Sequence, residues 1–231
     1  MKRFIYVAFA VFALCGCADH SNNIKEPIDE PLNDEKIPEG GLDISEHYIT
    51  GYLVPDEIEV KYTDYELYFD VVFSGDEYST CDGKDTEDYK KAKYFIDLYG
   101  DTSFNGAVLP FMSTSIAYPI DKITIECDKD FDAEHPAGDP LDDIVMLYYS
   151  SYYRFIKSGY VCAGGPWSGN VLEHYILTFN KINSDVTKLI QETSAMLRFS
   201  SLPAEPGEYT FTLEMVVNGE TLSAEFTYTF E

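Results

Sequence analysis

"GEYTFTLEMVVNGETLSAEFTYTF", residues 207–230, decides the fold. On its first arm Tyr209, Phe211, Leu213 and Met215 alternate with mostly polar neighbours, and on its second Leu222, Ala224, Phe226, Tyr228 and Phe230 do the same. A period of two places each apolar set on one face of an extended strand. Between the arms stands Asn218-Gly219, the dipeptide that tolerates two successive positive φ angles and so closes a type I′ hairpin. A hairpin with one wet and one dry face needs a second sheet to bury the dry one.

Upstream, "DKITIEC" (121–127) sets Ile123, Ile125 and Cys127 against Lys122, Thr124 and Glu126, again a half-buried strand with Cys127 facing inward. "EIEVKY" (57–62) alternates Ile58, Val60 and Tyr62, and "YELYFDVVF" (65–73) alternates Tyr65, Leu67, Phe69, Val71 and Phe73. The phase slips between them, which predicts a bulge or turn at Thr63-Asp64. "IVMLYYSS" (144–151), "HYILTF" (174–179) and "AMLRF" (195–199) read as further strands. "SYYRFIKSGY" (151–160) reads as a short helix stopping at Gly159, and "SDVTKLIQE" (184–192) as a helical turn capped by Ser184. The polar "SGDEYSTCDGKDTEDYKK" (74–91) and the glycine-rich "VCAGGPWSGN" (161–170) read as loops.

Many short strands and few helices predict an immunoglobulin-like antiparallel β-sandwich with long loop inserts and one or two short helices. Residues 46–119 supply too few strands for a core of their own. One elaborated sandwich over 46–231 is therefore expected.

The beginning of the chain is of another kind. Lys2 and Arg3 precede an apolar run from Phe4 to Leu14, too short to cross a bilayer as a helix, so 1–16 read as a signal peptide. Leu14-Cys15-Gly16-Cys17 resembles the lipobox of bacterial lipoproteins, with Leu14 at −3, Gly16 at −1 and Cys17 as the residue to be lipidated. The resemblance implies an acylated Cys17 holding the protein to membrane lipid, and Ala18 after it implies the outer membrane. Several acyl chains anchor where one would not. Residues 17–45 then form the anchor and an acidic, proline-bearing tether without apolar period, whose coil dimension is on the order of 30 Å. The body is expected to face the periplasm or the cell surface.

The chain carries 16 basic and 41 acidic residues, a formal charge of −25, and the leader removes two of the basic ones. So acidic a protein is repelled by nucleic acid, and no nucleic-acid partner is expected. Besides Cys15 and the anchor there are Cys81, Cys127 and Cys162, which admit three pairings or none. No CxxC pair or neighbouring histidine marks a redox or zinc site.

The order of lipobox, acidic tether, "CDKDFDAEHPAG", "SYYRFIKSGY" and "LPAEPGEYTFTLEMVVNG" resembles uncharacterised lipoproteins of Bacteroidetes-type bacteria that carry an immunoglobulin-like domain of unknown function. The resemblance implies fold and location and carries over no active site.

Two stretches offer chemistry. Asp128, Asp130 and Asp132 stand where an EF-hand loop places its first three oxygen ligands. Ala133 replaces the turn glycine, Asp139 replaces the closing glutamate and a strand precedes, which leaves an irregular calcium site as the metal expectation. The competing reading is structural: a turn at His135–Gly138, then Asp139 and Pro140 opening a capped helical turn. The second stretch is aromatic, with Tyr148, Tyr149, Tyr152, Tyr153, Tyr160 and Trp167 close together. Of these, Trp167, Tyr152 and Tyr153 are the candidates to stack on a glycan, although tyrosines of a sandwich commonly serve its core. No nucleophile elbow, metalloprotease, P-loop or dinucleotide motif occurs. The sequence therefore predicts a non-enzymatic binding or assembly module for a protein or glycan partner, with a glycan-binding surface lipoprotein as the alternative.

Overall fold

In the computed structural model, which describes residues 44–63, 67–107, 113–162 and 171–231, the chain is mainly β. In chain order its elements are β1 (Ile44–Ser45), β2 (Gly51–Tyr62), β3 (Tyr68–Ser79), α1 (Glu87–Tyr99), β4 (Gly106–Ala107), β5 (Thr114–Ile116), β6 (Ile120–Cys127), β7 (Val145–Ser151), α2 (Tyr153–Lys157), β8 (Glu173–Thr178), β9 (Met196–Phe199), β10 (Gly207–Val217) and β11 (Glu220–Phe230). All of the described residues lie in one compact unit.

The hairpin forms as its sequence dictates. Asn218 (φ 53°) and Gly219 (φ 79°) make the turn, and Val217 pairs with Glu220 across it. β10 also pairs with β6, which completes a three-stranded sheet in the order β11-β10-β6. The second sheet has six strands in the order β5-β2-β3-β9-β7-β8, and its pairs are antiparallel except the short parallel edge of β5 on β2. The two sheets face each other as a sandwich.

Their inner faces are filled by the alternating residues. Tyr209, Phe211, Leu213 and Met215 of β10 meet Phe69, Val71 and Phe73 of β3, Leu147 of β7 and Leu197 and Phe199 of β9. Phe211 stacks on Phe226 at 5.1 Å and lies 4.9 Å from Phe199. Aromatic pairs of this kind contribute about 0.5–1.5 kcal/mol each beyond the area they bury. The bulge in β2 falls between Pro55 and Glu57, where proline cannot donate to the ladder. The slip expected at Thr63-Asp64 lies partly outside the described residues. There Thr63 N donates to Tyr68 O at 3.1 Å and closes the end of β2 on β3.

Two local expectations are corrected. Within the supposed loop 74–91, β3 continues to Ser79 and α1 begins at Glu87. Thr86 caps the helix, its side chain accepting from Tyr89 N at 3.1 Å, and Glu87 and Asp88 face the positive end of the helix dipole. Gly100 ends it at φ 72°, where a side chain would be strained. Tyr89, Ala92, Phe95, Ile96 and Tyr99 form one apolar stripe, and charged residues around it hide that stripe from a composition-based reading. The stripe meets Ile49, Tyr52, Ala117, Tyr152 and Ile156 in a second core outside the sandwich. The helical turn expected at 184–192 is instead a run of turns. Asn183 accepts from Asp185 N at 2.9 Å, Thr187 bonds across to Ile120 O at 2.7 Å, and Leu189 has φ 50°. These tertiary bonds displace the helical ones.

Candidate functional site

The three aspartates of the acidic loop do not converge. Asp128 accepts from Thr210 N at 2.9 Å and so ties the loop to β10. Asp130 accepts from Ala137 N at 2.9 Å, and Asp132 from Glu134 N and His135 N at 2.8 and 3.0 Å. Among the described residues no three His, Cys, Asp or Glu side chains gather as a cation site. Each carboxylate instead holds a different backbone amide, Asp128 one of β10 and Asp130 and Asp132 those of the loop itself. The expected helical turn after Pro140 is a single turn, in which Leu141 O accepts from Ile144 N and Val145 N. Asp142 reaches back to Thr124 Oγ1 at 2.7 Å and Ile125 N at 3.1 Å rather than facing a helix dipole.

His135 is clamped in the same loop. It is 7% exposed, with Nδ1 2.8 Å from Asp132 Oδ1 and Nε2 3.0 Å from Asp143 Oδ1. Carboxylates on both nitrogens require both to carry protons, which is the imidazolium form. Burial opposes that charge, but the hydrogen bonds and charges of Asp132 and Asp143 outweigh it and hold His135 above its ordinary value. Asp132 is correspondingly held below its own by His135. Close by, Cys127 Sγ donates to Lys129 O at 3.0 Å, and burial pushes its thiol up, away from thiolate reactivity. Cys81, Cys127 and Cys162 are all free thiols.

A second polar cluster fastens the entry of the domain. Asp101 is 0% exposed, and its carboxylate accepts from Tyr48 N, Ile49 N and Tyr160 Oη, each at 2.9 Å. His47 Nδ1 donates to the Asp101 carbonyl at 2.6 Å while Nε2 lies 3.0 Å from Tyr89 Oη. With these donors and acceptors matched, the cluster is a fastening between the chain before β2 and the end of α1.

Of the aromatic candidates, Trp167 lies outside the described residues, as does Cys17. Tyr152 is 2% exposed and packs its ring against Tyr48, so it offers no face to a sugar. Tyr153 is half-buried, with Lys157 and Lys188 over its ring at 5.5 and 5.3 Å. The structure does not bring Tyr152 and Tyr153 to a common surface.

It gathers others instead. The helices cover the outer face of the six-stranded sheet at its β5-β2-β3 side, whereas the outward residues of β9, β7, β8 and the start of β3 join neither core. Strand register aligns them in rows. One runs Tyr68, Arg198, Met146, Thr178 and the next Asp70, Met196, Tyr148, Ile176. Four strands at about 4.8 Å spacing make each row about 14 Å wide. Arg198 lies 5.0 Å over the Tyr68 ring and donates from Nη1 to Tyr148 Oη at 3.2 Å, while the two rings meet edge to face at 5.4 Å. Ile176 is 57% exposed.

At one margin of this face Ser150 Oγ lies 2.8 Å from His174 Nδ1. No carboxylate hydrogen-bonds the His174 ring among the described residues, so the pair lacks the third group that orients an activated serine. The sequence signal for the whole face was the polar phase of β3, β9, β7 and β8, which carries Tyr, Met and Ile where a wet face ordinarily carries charge.

Compared with protein-family models, with curated proteins and with solved structures, the chain matches none.

Proposed function

We propose that this protein is a non-enzymatic binding or assembly module of the bacterial cell envelope, tethered at the outer membrane through acylated Cys17, and that it engages a protein partner with the open half of its larger sheet. The leader and the lipobox-like Leu14–Cys17 support the location. One observation carries the binding role: two tyrosines, two methionines, an isoleucine and an arginine stand together on a face that joins neither core among the described residues. Interface centres are enriched in Tyr, Met and Arg, and the methionines and the isoleucine of this centre suit apolar side chains of a protein partner better than the hydroxyls of a glycan.

A photo-crosslinking residue at Ile176 is expected to trap a defined partner in living cells, and one at the equally exposed Tyr94 on α1 is not. Tyr148→Ala should remove the adduct, and Cys17→Ser should move the protein out of the membrane fraction. Equal labelling from both positions, or a glycan array bound through Trp167 and lost in Trp167→Ala, would overturn the proposal in favour of non-specific contact or sugar binding.

A further inference from the structure

Arg198 is the odd member of that face. The chain has 41 acidic residues, and its one other described arginine, Arg154, pairs with Glu173. Among the described residues no carboxylate lies within ion-pair distance of Arg198, although the acids outnumber the bases by more than two to one. Its neighbours are aromatic: the guanidinium lies over Tyr68, its Nη1 bonds the Tyr148 hydroxyl, and its enclosed Nε–H meets no acceptor. An enclosed donor without a partner costs free energy unless something supplies the acceptor.

We infer that Arg198 seats a carboxylate of the protein partner, with the partner's flanking apolar side chains lying over Met146, Met196 and Ile176. The inference rests on the reading of this face as the recognition surface. A guanidinium fixed by a ring below and a hydroxyl beside it presents the remainder of its planar fork in one orientation, the geometry that a carboxylate matches. The surroundings set the rest of the ligand. Methionine side chains adapt to varied apolar shapes, and Asp70, Ser150, His174 and Thr178 ring the apolar centre with polar groups. Asp70 and the overall charge of −25 repel a polyanion, so the ligand is a segment with an isolated Asp or Glu between apolar residues rather than an acidic run or an acidic polysaccharide.

The test uses two end-blocked peptides, Leu-Glu-Leu and Leu-Gln-Leu, and methyl glucuronide, with binding read from the NMR shifts of the Met146 and Met196 methyl groups. The glutamate peptide is expected to bind about tenfold or more tightly than its glutamine twin, the ratio that a hydrogen bond to a charged group supplies. In Arg198→Gln that ratio should fall to about one, and Arg198→Lys, which keeps charge without the fork, should recover only part of it. Thermal melts of both variants check that the fold is intact. Equal affinity of the two peptides for the native protein, or a ratio that survives Arg198→Gln, would overturn the inference. So would methyl glucuronide binding better than either peptide. A crosslink from Ile176 that is unchanged by Arg198→Gln would refute the carboxylate seat and leave the recognition surface standing. Absence of that crosslink would refute the surface itself.

Discussion

At the scale of single residues, what a side chain does here follows from which atoms its tertiary neighbours turn towards it. Asp128, Asp130 and Asp132 share a spacing that suits an oxygen cage, yet each is bonded to a separate amide. His135 is the reverse case: a residue with no motif around it in the sequence becomes the buried cation that joins Asp132 to Asp143. Because its folded value is raised, its contribution to stability is fully present below the ordinary histidine value of 6.5 and is lost as pH rises through the folded value. Asp132, with its value lowered, contributes above the ordinary aspartate value and loses that contribution as pH falls through its own. Urea denaturation of the native protein should therefore show stability declining as pH rises above the ordinary histidine value of 6.5, with the decline reduced in His135→Gln. An unchanged pH profile in that variant would mean that other groups carry the dependence.

At the scale of elements, the hairpin and α1 show the two ways in which a sequence declares itself. The hairpin was legible because a strict period of two and Asn218-Gly219 point to the same structure over 24 residues. α1 was written in the chain as well, in the Thr86 cap, the early acids, the stripe from Tyr89 to Tyr99 and the terminal Gly100. It was obscured because lysines and aspartates around the stripe lower the mean hydropathy to that of a loop. Thr86→Ala should cost about 1 kcal/mol of stability, measured by denaturant unfolding, because Tyr89 N loses its acceptor at the helix start. The face around Arg198 was the least legible element. Its residues come from four short strands, β3, β9, β7 and β8, whose order in the sheet does not follow their order in the chain.

At the scale of the whole molecule, a net charge of −25 over the 231 residues opposes compaction by self-repulsion. The eight described ion pairs engage few of the 41 acids, and most of these pairs are exposed and contribute little. Raising sodium chloride from about 0.01 M to about 0.3 M, which brings the Debye length from about 30 Å to under 10 Å, should therefore raise the melting temperature in calorimetry. Calcium at equal ionic strength should add nothing further, because each loop aspartate is turned to a different backbone amide and, among the described residues, the three are not gathered as one cation site. A calcium-specific increase would return a metal to Asp128, Asp130 and Asp132.

What the sequence determined by itself was local: strand faces from a period of two, the hairpin from Asn218-Gly219 and an inward Cys127. These depend on residues a few positions apart, where backbone geometry links spacing directly to orientation. The tertiary structure alone decided that Tyr68, Arg198, Tyr148 and Ile176 share a face, that Tyr152 is interior, and that the acidic loop's aspartates bond backbone amides of the loop and of β10. Those outcomes depend on strand order and on which helix covers which half of a sheet. Both are set by the burial of the whole apolar surface at once, and no single segment encodes them.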